Sequence, residues 1–149
     1  MGRSSPSQRR RKSRDLLVRA LYQWQINEST EAELLDQLAE DGKLGEIDEI
    51  HFRRVLKTVL EGPAALDQVI AAHAARSIEQ LDEIGRSVLL MAIAELAHCA
   101  DVPTKVVINE AVELSKRYGA AESYRFVNAV LDKAAPQLSC AAGSAVRPE

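Results

Sequence analysis

The chain has 149 residues, of which 46% are hydrophobic, 28% charged and 4% aromatic. That length and balance suit one compact domain or two small subdomains and exclude a disordered chain, and a core poor in aromatics but rich in alanine favours packed helices over a sheet. The net charge of −3 conceals a polarity: residues 1–25 carry seven Lys/Arg against one acid, a net +6, and the remainder carries −9.

The segment SQRRRKSRDLLVRALYQWQ, residues 7–25, passes from cations to an apolar, aromatic pattern without a break. Its apolar part is no secretory signal, because it carries Arg19 and lacks a small-residue cleavage site. No stretch reaches the roughly eighteen uncharged apolar residues of a membrane span. Cys99 and Cys140 stand in no metal-binding spacing, so both are expected as reduced thiols in a cytoplasmic protein.

Residues 1–8 are polar and Ser-rich and are expected as a disordered tail. From Arg9 a helical period takes over: Leu17, Leu21 and Trp24 fall at i, i+4, i+7, with Ala20 beside them. Arg10 and Arg14 form an i, i+4 pair on the neighbouring stripe towards Val18 and Tyr22, so the cations are expected on display. Thr30 with Glu33 forms a capping-box pattern, opening a helix that carries Leu34, Leu35 and Leu38 and stops near Gly42. A third helix is expected from about Glu46 to Glu61 with Ile50, Val55, Leu56 and Val59 inward. Gly62 then Pro63 marks one helix ending and the next beginning. That next helix spans 63–74, and Ser77 with Gln80 suggests a cap before a short helix ending near Glu83.

Residues 85–100, GRSVLLMAIAELAHCA, are apolar on nearly every face and predict the central helix. Their lone internal charge, Glu95, reads as a catalytic acid with a raised pKa or as a carboxylate that is hydrogen-bonded in the core or reaches solvent. After the break at DVP, Val107, Ala111, Leu114 and Tyr118 keep helical spacing to Gly119, with Glu113 set to pair with Arg117 at i+4. The last helix is expected from Ala121 to Ala135, with Tyr124, Val127, Leu131 and Ala134 on one face and Pro136 as its stop. The expected organisation is therefore all-α: a helical subdomain over 9–83, a second over 84–136, and a flexible tail over 137–149.

Catalytic machinery is missing from the sequence. His51, His73 and His98 lie in separate segments without metal-ligand spacing, and there is no phosphate loop and no nucleophile elbow. His98 and Cys99 are adjacent and so point in different directions on a helix. The expectation is a protein with no catalytic residues, no cofactor and no metal.

Nucleic-acid binding fits better. Lys and Arg neutralise phosphates, and aromatic or guanidinium faces stack single-stranded bases. The first helix offers Arg10, Arg11, Arg14 and, further along, Tyr22 and Gln25. The last opens with ESYRFVN, residues 122–128, where Ser123, Arg125, Phe126 and Asn128 could serve RNA. Phe126 has an equal claim to be a core residue.

Three blocks in this order, RRRKSRDLLVRALYQWQ, DVPTKVVINEAVELSKRYG and FVNAVLDKAAP, resemble the NusB family of bacterial transcription antitermination factors over roughly residues 9–136. The resemblance implies an all-α fold of two packed helical subdomains. It implies a non-catalytic adaptor that binds boxA-type RNA of ribosomal RNA leaders as a heterodimer with the ribosomal small-subunit protein NusE, working with other Nus factors and RNA polymerase. By the same resemblance the RNA-binding set comprises Arg10, Arg11, Lys12, Arg14, Tyr22, Gln25, Glu122, Ser123, Arg125 and Phe126. Glu122 stands where many relatives have aspartate. LLMAIAEL departs from the LRIAxYEL of many relatives, with Leu90 and Ala94 replacing an arginine and an aromatic. Asn109 and Glu110 are expected to bridge the subdomains.

Two other readings compete. A NusB-like accessory domain such as the one preceding some RNA cytosine methyltransferases is disfavoured, because the chain ends at residue 149 with no cofactor-binding α/β domain after it. A purely structural homodimer would have to cover six net positive charges with an acidic face.

Overall fold

The computed structural model of the chain describes residues 5–74 and 81–146. Seven α-helices occur among them: α1 Pro6–Asn27, α2 Glu31–Glu40, α3 Glu49–Glu61, α4 Pro63–His73, α5 Glu83–His98, α6 Thr104–Tyr118 and α7 Ser123–Val146. A single 3-10 turn, Leu44–Glu46, precedes α3, and the described residues contain no strand. The fold is all-α, as the composition and periodicity imply.

Local chemistry sets the helix starts. The Ser5 hydroxyl accepts from the Gln8 amide at 3.1 Å while Gln8 Oε1 accepts from the Ser5 amide at 2.8 Å, and Pro6 occupies the first turn. This reciprocal cap starts α1 before Arg9, earlier than its apolar period alone suggests. Thr30 and Glu33 form the expected capping box on α2. Asp48 and Asp82 cap α3 and α5 by accepting from the amides of His51 and Gly85. The Ser77–Gln80 cap and most of the short helix before Glu83 lie outside the described residues.

Helix α5 is the axis of the molecule. Every residue from Ser87 to Leu96 is buried, and α1, α3, α4, α6 and α7 all pack against it. Leu90 and Ala94 are both buried, so the departure from LRIAxYEL falls inside the core. One continuous apolar cluster joins Leu17 and Leu21 of α1, Phe52 and Leu56 of α3, Ile70 of α4, the length of α5, Ala111 of α6 and Val127 and Leu131 of α7.

Three expectations change. The 3-10 turn interrupts the period ahead of α3, so Ile47 is fully buried while Ile50 is 74% exposed. Glu113 pairs with Lys116, and Arg117 reaches across to Asp15 on α1 instead. Pro136 does not end the last helix, which runs to Val146 with the proline inside it. Both Pro136 and Asp132, one turn earlier, are exposed, so the carbonyl that loses its hydrogen-bond partner can be solvated.

Candidate nucleic-acid interface

The basic start of α1 divides between the interior and the surface. Arg14 and Leu17 lie inward, and Arg11, Asp15, Arg19 and Tyr22 follow at i, i+4, i+8, i+11 along an outer stripe. Arg11 and Arg19 side chains are each 63% exposed, and Tyr22 is 39% exposed. Lys12 is exposed as well.

Arg14 is not on display, contrary to the sequence reading. It is 3% exposed, and its guanidinium donates from Nε and Nη2 to the carboxylate of Glu95 on α5, with Nε 3.0 Å from Oε1. His51 of α3 lies against the same carboxylate, Nε2 to Oε2 3.1 Å, and its Nδ1 is 2.9 Å from the hydroxyl of buried Ser13. Burial pushes the Glu95 carboxyl up. Hydrogen bonds from His51 and Arg14, and their charge, outweigh this and hold it at about 2. Glu95 is therefore the ionised, hydrogen-bonded carboxylate of the two readings, and the catalytic-acid reading fails.

Arg10 is intermediate. Its side chain is 30% exposed and donates to Asp48 at 3.0 Å, with Asp101 3.5 Å away. Burial pushes the Asp48 carboxyl up, but the His51 amide and Arg10 hold it below its ordinary range. Arg11 donates to Glu110 of α6 at 3.2 Å, so Glu110 does bridge α1 and α6; Asn109 is exposed. Arg9 clamps the turn before α3, donating to the carbonyls of Gly45 and Ile47 at 3.0 and 2.6 Å.

Gln25 is committed to structure. Its Nε2 donates to the Glu83 carbonyl and the Ser87 hydroxyl at 2.8 and 2.7 Å, and its Oε1 accepts from Arg86 at 3.1 Å. That network joins α1 to the start of α5 and holds the Gln25 amide in place. Ser123 lies at the junction of α6 and α7. Its hydroxyl oxygen is buried, and α6 passes so close that a Cβ added at Gly119 would lie 2.5 Å from it.

Glu122 and Arg125 at the α7 start face outward. Glu122 has a left-handed backbone (φ 73°) and pairs with Arg125 at 2.9 Å; both side chains are well exposed. Arg125 and Lys116 flank the Tyr124 ring at 5.8 and 5.0 Å from its centroid. Phe126 is half-buried and packs against the core, leaving part of its ring exposed.

Sequence reasoning missed Arg117 and Tyr118. The Tyr118 hydroxyl donates to Asp15 at 2.6 Å, Arg117 donates to the same carboxylate at 2.9 Å, and Arg19 lies 3.5 Å from it. The available signal was Arg117–Tyr118 at the end of a helix, beside a basic α1. Among the described residues no group of three His, Cys, Asp or Glu is placed to hold a metal, and no helix is long and apolar enough to cross a membrane.

Residues 11–136 match the NusB family model. The chain belongs to the NusB family. The transcription antitermination protein NusB of Laribacter hongkongensis is 41% identical over 140 residues, covering 94% of this chain and 80% of that protein. The NusB of Yersinia enterocolitica is 42% identical over 127 residues, covering 85% and 92%. T. maritima NusB is similar in structure, with a TM-score of 0.75 and 28% identity over 91% of this chain and 94% of that one. A chain from the complex of antitermination factors NusB and NusE with double-stranded RNA shares the fold at a TM-score of 0.74 and 24% identity, covering 85% and 96%. Membership of the NusB family agrees with the non-enzymatic reading of the sequence.

Proposed function

We propose that this protein is a cytoplasmic transcription antitermination factor, a non-catalytic adaptor that binds boxA-type RNA of ribosomal RNA leaders as a heterodimer with NusE. Other Nus factors and RNA polymerase would then be engaged through that heterodimer. The observation that carries the reading is an outward stripe of Arg11, Arg19 and Tyr22, with Lys12 exposed beside it, on a chain 41–42% identical to NusB proteins.

The chemistry suits single-stranded RNA. Exposed cations neutralise phosphates, and Tyr22 and Phe126 offer aromatic faces to unstacked bases. Three or four phosphate contacts correspond to a log–log salt slope of about −2 to −3, taking ~0.7 per contact. Such a surface binds weakly alone, and a docked partner with its own RNA contacts raises the joint affinity.

Sedimentation velocity of the protein mixed with purified NusE, with and without boxA RNA, tests the assembly. The proposal predicts a 1:1 heterodimer that takes up one RNA. Independent sedimentation of all three components would contradict it.

A further inference from the structure

A groove of about 590 Å³ opens between α1, the turn at residues 43–47 and the C-terminal end of α6. Its walls carry Arg11, Lys12, Arg19, Lys43 and Arg117, against which stand the carboxylates of Asp15 and Glu46. In a chain of net charge −3 this is a concentrated positive site.

The cations are only partly neutralised by their neighbours, Arg11 being paired with Glu110 at 3.2 Å. Asp15 is one carboxylate shared between two guanidinium groups, Arg117 at 2.9 Å and Arg19 at 3.5 Å, and it also accepts from the Tyr118 hydroxyl. The same two guanidinium groups, Arg117 and Arg19, sit 5.9 and 5.6 Å from the Tyr118 ring centroid, so the ring and the carboxylate hold them side by side. Lys12 and Lys43 make no ion pair among the described residues.

The backbone at Lys43 is fixed in place although it lies outside any helix. Gly42, with a left-handed φ of 69°, closes α2, and the Lys43 amide donates to the Leu38 carbonyl at 3.0 Å. Arg9 then ties Gly45 and Ile47 to α1, which holds this wall of the groove against the helix.

We propose that this groove takes backbone phosphates of the single-stranded RNA, on a path from the basic start of α1 to the start of α7. Arg11 and Lys12 line its α1 side. Arg117 and Tyr118 lead to Gly119, where α6 touches Ser123 of α7. Tyr22 continues the Arg11–Asp15–Arg19 stripe one turn beyond. The phosphate-binding residues are therefore Arg19, Lys43 and Arg117, none of them in the set expected from the sequence. Two guanidinium groups on one carboxylate leave donors for a phosphate, which planar Arg forks match well.

This assignment rests on the RNA-binding reading above, and the test separates the two. Fluorescence anisotropy of a labelled boxA-type RNA is titrated at several salt concentrations with wild type, Arg11→Ala/Lys12→Ala and Arg19→Ala/Lys43→Ala. The expected result is about a tenfold loss of affinity in the Arg19/Lys43 variant and a salt slope flatter by about 1.4, at ~0.7 per contact. Circular dichroism of each variant registers the fold. If wild type binds with a salt-dependent slope and the Arg11/Lys12 variant is weakened while the Arg19/Lys43 variant matches wild type, the groove assignment is overturned and the function stands. If wild type binds no RNA, with or without NusE, the functional reading fails and the groove assignment falls with it. Pyrophosphate titrated in parallel by NMR identifies a free-phosphate site. Binding that the Arg19/Lys43 variant loses while its RNA affinity is unchanged would overturn the RNA assignment.

Discussion

Arg14 on α1 and Glu95 on α5 form a forked ion pair in the interior, with His51 of α3 on the same carboxylate, so one buried charge pair fastens three helices. Removing one member leaves the other charged and desolvated, which typically costs about 3–5 kcal/mol. Arg14→Ala is therefore expected to lower the unfolding free energy by that much, and the denaturant midpoint with it. Arg11→Ala, at an exposed pair, should shift that free energy by at most about 1 kcal/mol. Equal midpoints for the two variants in guanidinium unfolding would contradict the inward role of Arg14.

The same carboxylate predicts an acid limit. Glu95 is held at about 2 in the folded protein against an ordinary 4.5. A depressed folded value means the unfolded state binds the proton more tightly, so this contribution is complete above about pH 4.5. It is lost as pH falls from there through about 2. The linkage is on the order of 3 kcal/mol. Unfolding free energy measured from pH 6 to pH 2 should fall across that window, and Glu95→Gln should flatten the fall. An unchanged pH profile in the Gln variant would place the acid sensitivity elsewhere.

Gly119 is required by close approach rather than by backbone conformation. Its φ of −87° is open to any residue, but an added Cβ would lie 2.7 Å from the Ser115 carbonyl oxygen and 2.5 Å from the Ser123 hydroxyl. The hydroxyl can rotate away, but the backbone carbonyl cannot. Gly119→Ala is expected to destabilise by about 1–3 kcal/mol by forcing α6 and α7 apart. Thermal melting checks this, and a melting temperature equal to wild type would show that the helix junction yields freely.

Tyr22 and Phe126 should separate recognition from packing. Tyr22 is 39% exposed, so Tyr22→Ala is expected to cost about 1–3 kcal/mol of RNA affinity. Its effect on stability should stay within about 0.5 kcal/mol. Phe126 packs against the core, so Phe126→Ala should lower both RNA affinity and melting temperature. Anisotropy and melting curves on the two variants decide the matter. Loss of stability without loss of RNA affinity at Phe126 would return it wholly to the core.

The helices were legible because apolar period, capping boxes and the Gly62–Pro63 boundary all act locally. The inward turn of Arg14 was not, since the Arg10–Arg14 spacing looks like a displayed pair. Two signals pointed to it: Leu17 and Val18 follow Arg14 at i+3 and i+4, and the lone Glu95 in an apolar helix needs a cation. Ile50 misled because the 3-10 turn, which no sequence period announced, changed which isoleucine faces inward. Gln25 and Ser123 have side chains able to serve RNA or the helix junctions, and only the fold shows that both lie at junctions, Gln25 between α1 and α5 and Ser123 between α6 and α7. The Arg19–Lys43–Arg117 groove draws on three distant segments, so no local pattern contained it.

The most direct test of the central claim is anisotropy of labelled boxA RNA and a scrambled control, each titrated with this protein in the presence and absence of NusE. The account predicts preference for boxA that sharpens when NusE is present. Equal, salt-sensitive binding of both RNAs, indifferent to NusE, would contradict it and reduce the basic face of α1 to a general polyanion surface.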